Sequence, residues 1–93
     1  MIITKFFGAL RHVAGVGELA LNVKGSISVE KMLKKIAIEL PALKQSLKNK
    51  MTEELKSNAL IVVNGREISA LDGLETKLKD GDELILIPVV HGG

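Results

Sequence analysis

The residues of this chain best suited to chemistry are its last two, Gly92 and Gly93, together with the carboxylate that follows them. A terminal carboxylate is ionised at neutral pH. It can attack the α-phosphorus of ATP if a partner binds the nucleotide, and sulfide can then convert the acyl adenylate into a thiocarboxylate. Because glycine has no Cβ atom, such a segment is thin enough to enter a narrow channel. The sequence therefore predicts a carboxylate that a partner protein activates.

The other reactive side chains do not form a site. The chain contains no cysteine, which excludes thiol nucleophiles, disulfides and zinc–thiolate centres. His12 and His91 have no neighbours at metal-ligand or catalytic spacing, although an imidazole at His91 could meet an anionic nucleotide. Residues 15–20 match a loose dinucleotide-binding pattern, but a strand pattern follows instead of a helix, so we interpret them as a loop. We expect no catalytic side chains, metal or bound cofactor in this chain, with ATP used by the activating partner.

Length and composition limit the remaining possibilities. The chain has 93 residues, 46% hydrophobic and 26% charged, with a net charge of +2, as expected for one folded domain. The basic excess lies between Lys31 and Lys56, but the only aromatic residues are Phe6 and Phe7, so a stacking surface for nucleic acid is not expected. No apolar run reaches the ~20 residues that span a bilayer. We therefore expect a cytoplasmic protein that binds neither nucleic acid nor membrane.

Hydrophobic periodicity predicts the elements that position the tail. Strands are expected at residues 1–7, 18–23, 59–63 and 83–90, with a short amphipathic turn or helix at 8–15. Ser28 is suited to cap a long helix that ends before Pro41, because proline disfavours a helical conformation at Leu40. Residues 41–57 predict a second short helix followed by an irregular connection. Asn64 and Gly65 predict a tight turn.

The last strand carries four consecutive apolar residues and is expected in the sheet interior, covered on both faces. Placed beside the first strand, it is expected to run parallel to it. The predicted fold class is α+β, a ubiquitin-like β-grasp with a mixed sheet packed against one main helix. Residues 1–93 would form a single domain with a flexible tail from about residue 89.

Several segments carry a likeness to a known family. They are residues 2–7 with Ala9-Leu10-Arg11, then Ser28-Val29-Glu30, Val63-Asn64-Gly65, residues 78–83, and the final residues 87–93. In these segments the sequence resembles the MoaD family, the small subunits of molybdopterin synthase, which are ubiquitin-like sulfur carriers. The likeness covers nearly the whole chain.

This resemblance implies a role for the tail. A ubiquitin-activating-type adenylyltransferase would adenylate Gly93, which then becomes a thiocarboxylate, and the large subunit of molybdopterin synthase would receive the sulfur. Gly92 would permit threading, and catalytic side chains would belong to the partners. The partner contacts implied or expected by position are Phe7, Pro88, Val89, Val90 and His91.

Two alternatives remain open. Residues 41–57 are longer than in the smallest members of the family, and longer forms include protein modifiers and sulfur carriers for tRNA thiolation. A different class is a non-covalent binding module in which the two glycines have no role.

Overall fold

The structure is a computed structural model that describes residues 1–40 and 45–89, with all their side chains except those of residues 45–49. The elements are β1 (Ile2–Phe6), α1 (Ala9–Ala14), β2 (Glu18–Leu21), β3 (Ser26–Ser28), α2 (Val29–Glu39), α3 (Gln45–Asn58), β4 (Ala59–Val63), β5 (Arg66–Glu67), two 3₁₀ turns (Ile68–Ala70 and Gly73–Glu75), β6 (Lys77–Lys79) and β7 (Glu83–Pro88).

The main sheet has the order β2-β1-β7-β4-β5. β1 and β7 are central and parallel, with Phe6 beside Leu86, whereas β2 and β4 run antiparallel to their neighbours. This confirms the predicted β-grasp arrangement. A second ladder, in which β3 pairs with β6, was not predicted, because each strand has only three residues.

The long helix begins as its sequence predicts. The Lys31 backbone N–H donates to the Ser28 hydroxyl over 3.2 Å, and Glu30 lies in the first turn, near the positive end of the helix dipole. The helix ends where Leu40 adopts an extended conformation, with φ −70° and ψ 120°, immediately before Pro41. Both predicted boundaries of α2 are confirmed.

The core lies on one face of the sheet, where α2 and α3 cover it. In β7, Leu84 and Leu86 are fully buried, whereas Ile85 and Ile87 on the other face are only half-buried. The prediction that both faces of this strand are covered is therefore wrong. An apolar run does not show whether its second face meets a helix or remains open.

The second helix is longer than predicted. α3 continues to Asn58 and leads directly into β4, so the predicted irregular connection is wrong. Met51 and Leu55 are buried, and the Lys56 ammonium binds the Glu30 carboxylate of α2 over 2.9 Å. These tertiary contacts stabilise a helix whose own periodicity is weak.

The predicted turn after β4 is also confirmed. Asn64 and Gly65 both have positive φ, 50° and 84° respectively, as a tight hairpin requires. Within the described residues, no helix is long and apolar enough to cross a bilayer.

Candidate functional site

The chain leaves the sheet at the carboxyl end of β7, and neighbouring backbone groups hold it there. The Phe7 N–H donates to the Leu86 carbonyl over 3.1 Å. The Val89 N–H donates to the carbonyl of Asn58, at the junction of α3 and β4, over 2.9 Å. The backbone is thus fixed up to Val89, the last described residue before the end of the chain.

Four apolar side chains form an exposed surface around this point. We call it the exit patch: Phe7, Leu60, Ile87 and Val89. Phe7 is 45% exposed, Val89 43% and Leu60 38%, and Leu60 lies opposite Ile87 in the ladder between β4 and β7. Since alternate residues of a strand share a face, Phe7 continues the side of Ile3 and Lys5, away from the core. Clustered exposed apolar residues of this kind mark interaction surfaces.

A glycine packs closely against the exit point. Gly8 has φ 57° and ψ −137°, a conformation that L side chains rarely adopt. A Cβ atom placed on it would lie 3.1 Å from Cγ of Pro88. Gly8 therefore lets the β1–α1 turn support Pro88 directly and helps to fix the direction in which the chain departs.

The open face changes from apolar to charged away from the exit patch. The Lys5 ammonium lies 3.0 Å from the Glu83 carboxylate, and this hydrogen bond and negative charge raise the pKa of Lys5. Glu18, opposite Lys5 in the ladder, raises it further. A partner that covers this face would thus meet an apolar area bordered by charged groups that are already paired.

The acidic and histidine side chains of the described residues are not arranged as a metal site. The described residues contain no group of three or more His, Asp or Glu side chains placed to hold a metal ion. The Asp82 carboxylate accepts hydrogen bonds from the Lys79 N–H and the Asn64 amide, so it stabilises a turn. His12, in α1, lines a surface cavity.

The structure places three of the predicted partner contacts together. Phe7, Pro88 and Val89 all lie at the end of β7. Val90, His91, Gly92 and Gly93 lie outside the described residues, so their predicted roles stay predictions.

Sequence reasoning missed Leu60, Ile87 and Gly8 as members of this site. The first two occur in continuous apolar runs, where exposed and buried positions look alike. Gly8 follows Phe7 directly, but its positive φ could not be read from the sequence.

Comparison with known proteins agrees with this geometry. The model of the ThiS family matches residues 4–93. Small archaeal modifier protein 3 from Haloferax volcanii is 33% identical over 89 residues, which cover 96% of this chain and 95% of that protein.

Solved structures give the same result. Small archaeal modifier protein 1 from Methanosarcina acetivorans has a TM-score of 0.72 and 36% identity, covering 99% of this chain and 95% of that one. A candidate molybdopterin converting factor, subunit 1, from Pyrococcus furiosus has a TM-score of 0.72 and 25% identity, covering 96% of this chain and 97% of that one. The chain belongs to the ThiS family of ubiquitin-like sulfur carriers and modifiers.

Proposed function

We propose that this protein is a sulfur carrier whose working group is the carboxylate of Gly93, and that residues 1–93 act as one unit presenting it. The observation that carries the proposal is the family match, which extends through residue 93, in a chain whose last strand ends inside an exposed apolar patch. The folded body would bind the partner through this patch, and the tail would enter the partner's active site.

The chemistry has two balanced steps. A carboxylate oxygen of Gly93 attacks the α-phosphorus of ATP and displaces pyrophosphate, which forms an acyl adenylate. Sulfide then attacks the acyl carbon and displaces AMP, leaving a thiocarboxylate and releasing a proton. The ATP, the nucleotide site and the catalytic side chains belong to a ubiquitin-activating-type adenylyltransferase. This use of ATP supports the cytoplasm as the site of action.

The exit patch suits the role of a docking surface. Ordering a glycine-rich tail costs conformational entropy, so most of the binding energy has to come from elsewhere. Phe7 and Leu60 offer apolar area that a partner can bury at about 25 cal/mol per Å². Gly92, which lacks a Cβ atom, would let the tail pass a narrow channel, with Val90 and His91 contacting its mouth.

One destination for the sulfur is molybdopterin. In this role the protein would be the small subunit of molybdopterin synthase, and the large subunit would transfer the sulfur to cyclic pyranopterin monophosphate. Support comes from the resemblance in residues 78–83 and 87–93, and from the likeness to the Pyrococcus furiosus protein.

The second destination is another macromolecule. The Haloferax and Methanosarcina relatives are both named as modifier proteins. In this role the activated Gly93 would form an amide with lysine residues of target proteins, or its sulfur would go to tRNA thiolation. The available likeness supports this destination as well as the first.

Reconstitution tests the proposal and separates the destinations. The protein is incubated with ATP, sulfide and an adenylyltransferase from the same organism, and the product mass is measured. The proposal expects a thiocarboxylate at Gly93, and no product from a variant lacking Gly92 and Gly93. If the truncated variant also keeps its role in cells, the protein is a non-covalent binding module and the proposal fails.

The thiocarboxylated product is then given to the large synthase subunit and cyclic pyranopterin monophosphate. Formation of molybdopterin supports the first destination. Recovery of covalent conjugates from cells, or loss of thiolated tRNA on deletion of the gene, supports the second.

A further inference from the structure

A cationic cavity lies close to the exit patch and has no role in the function proposed so far. It has a volume of about 360 Å³ and is lined by Arg11, His12, Gly15, Val16 and Gly17. Two of these side chains can carry positive charge, and none is acidic. The cavity therefore favours an anionic group.

The Arg11 guanidinium packs against Gly17 and has no acidic partner among the residues that the structure describes. A Cβ atom on Gly17 would lie 3.0 Å from Cζ of Arg11 and 3.1 Å from its Nε, so the guanidinium packs directly over this glycine. Among the described residues, the Arg11 side chain forms no hydrogen bond or ion pair. Glu18, its nearest acidic residue in sequence, is exposed in β2, and its charge acts on Lys5.

The cavity is at the same end of the sheet as the exit patch. The Gly17 carbonyl accepts a hydrogen bond from the Phe6 N–H over 3.0 Å, and Phe6 lies beside Leu86 of β7. Since neighbouring strands are about 4.8 Å apart, Gly17 is roughly 10 Å from the strand that ends in the tail. A protein that covers Phe7 and receives the tail would also reach Arg11.

We infer that this cavity binds a carboxylate side chain of the protein that adenylates Gly93, and that Arg11 is a specificity-determining contact of that complex. This inference rests on the proposed function. The planar guanidinium can pair with a carboxylate through two parallel hydrogen bonds, which gives both affinity and orientation. Anchoring at Arg11 would fix the rotation of the carrier about the apolar contact, so that the tail points into the active site.

The position of the cavity favours a protein carboxylate over a free phosphate. The cavity lies beside the end of β1 that leads into Phe7, because the Gly17 carbonyl accepts from the Phe6 N–H. Charged groups at the border of an apolar patch are typical of the rim of a protein–protein interface. An inorganic phosphate, or the phosphates of ATP, would also be anionic but would not require a position beside the apolar patch.

The test is ATP–pyrophosphate exchange with the adenylyltransferase, measured against the concentration of the carrier. Arg11→Glu is compared with Arg66→Glu, which makes the same charge change at an exposed arginine of β5, next to Val63 and far from the exit patch. Loss of a charge-assisted pair predicts that Arg11→Glu raises KM for the carrier roughly tenfold or more. Arg66→Glu should leave KM within about twofold of the original.

A second variant tests the placement of the guanidinium without changing any charge. Gly17 lacks the positive φ that forbids a side chain, so Gly17→Ala should fold and displace only the Arg11 side chain. It should raise KM less than Arg11→Glu and leave kcat unchanged. Replacing the partner's carboxylate with lysine should restore binding of Arg11→Glu.

Each outcome of these experiments supports or overturns the inference. Equal KM values for Arg11→Glu and Arg66→Glu overturn it, while the proposed function survives if exchange still requires Gly93. Saturable binding of inorganic phosphate to the isolated carrier, seen as amide shifts of residues 15–17, also overturns it. Absence of exchange with the unaltered carrier refutes the proposed function instead.

Discussion

The two ends of the central strands β1 and β7 differ in whether their surface groups have partners within the described residues. At the end where β1 and β7 begin, the terminal ammonium of Met1 pairs with Asp80, and Asn64 binds both Asp82 and the Glu83 N–H. At the end where these strands finish, the apolar exit patch is exposed and Arg11 has no partner among the described residues. The polar groups at the first end are paired with one another. At the second end, the proposed function has a second protein supply the missing contacts.

Removing the largest side chain of the exit patch should give the largest effect. Phe7→Ala should weaken binding to the adenylyltransferase by about 2 kcal/mol, because aromatic side chains near an interface centre dominate binding energy. Ile38→Ala is the control, since Ile38 is 62% exposed on α2, away from the patch. Calorimetric titration of both variants measures the difference. Equal affinities would show that the apolar surface at the exit does not bind this partner.

The supporting glycine can be tested against another glycine with a similar backbone. Gly8→Ala should destabilise the protein by about 2 kcal/mol, because the methyl group strains a positive φ and also meets Pro88. Gly25 has a similar φ of 64°, but a Cβ atom added there would meet nothing within 4 Å. Gly25→Ala should therefore lower the free energy of unfolding by only about 1 kcal/mol. Denaturant unfolding gives both values. A Gly8→Ala variant as stable as Gly25→Ala would show that Pro88 is not held at this contact.

Much of this fold could be predicted from the sequence, because its signals are local. The Ser28 cap, the extended Leu40 before Pro41, and the Asn64-Gly65 turn each depend on the chemistry of a few adjacent residues. The pairing of β1 with β7 followed from their apolar character and from the helix that must cover them. Where local signals agree with one another, the sequence determines the element.

The features that could not be predicted depend on tertiary contacts. Nothing in the run that contains Ile85 and Ile87 indicates that one face stays open. The full length of α3 depends on Leu55 entering the core and on Lys56 reaching Glu30. The cavity at Arg11 depends on the packing of the Arg11 side chain, from α1, against Gly17, which precedes β2.

Within the sheet, between its two ends, the Thr4 hydroxyl is buried without a hydrogen bond to any residue that the structure describes. Thr4→Val should therefore stabilise the protein by about 1 kcal/mol. Thr76 is also buried, but its hydroxyl accepts from the Asp72 N–H over 3.1 Å. Thr76→Val should therefore destabilise by about 1 kcal/mol. Thermal or denaturant unfolding should show opposite signs, and the same sign for both would contradict this assignment.

The smallest expected effect concerns the ion pair between α2 and α3, on the helical face of the sheet rather than the open face. A hydrogen bond from Lys56 lowers the pKa of Glu30 below its usual value of 4.5. A carboxylate with a lowered pKa stabilises the fold above its unfolded pKa, and this contribution disappears as the pH falls through the folded pKa. Glu30→Gln should thus lower Tm slightly at pH 7 and have no effect well below pH 4.5.

Glu39→Gln makes the same change on an exposed carboxylate of α2 and is the matched control. Because Glu39 is in the last turn of α2, where a negative charge is unfavourable, this control should not lower Tm at either pH. Neither substitution should change affinity for the adenylyltransferase, since both lie away from the exit patch. A loss of affinity in Glu30→Gln would show that the binding surface extends to the helical face.

The most direct test of the central claim is the intact mass of the protein isolated from its native cells. A sulfur carrier predicts a fraction of molecules in which one oxygen of the Gly93 carboxylate is replaced by sulfur, located there by fragmentation. That fraction should increase when the acceptor of the sulfur is deleted. A population that carries only the unmodified carboxylate, in those deletion cells as well, would contradict the account.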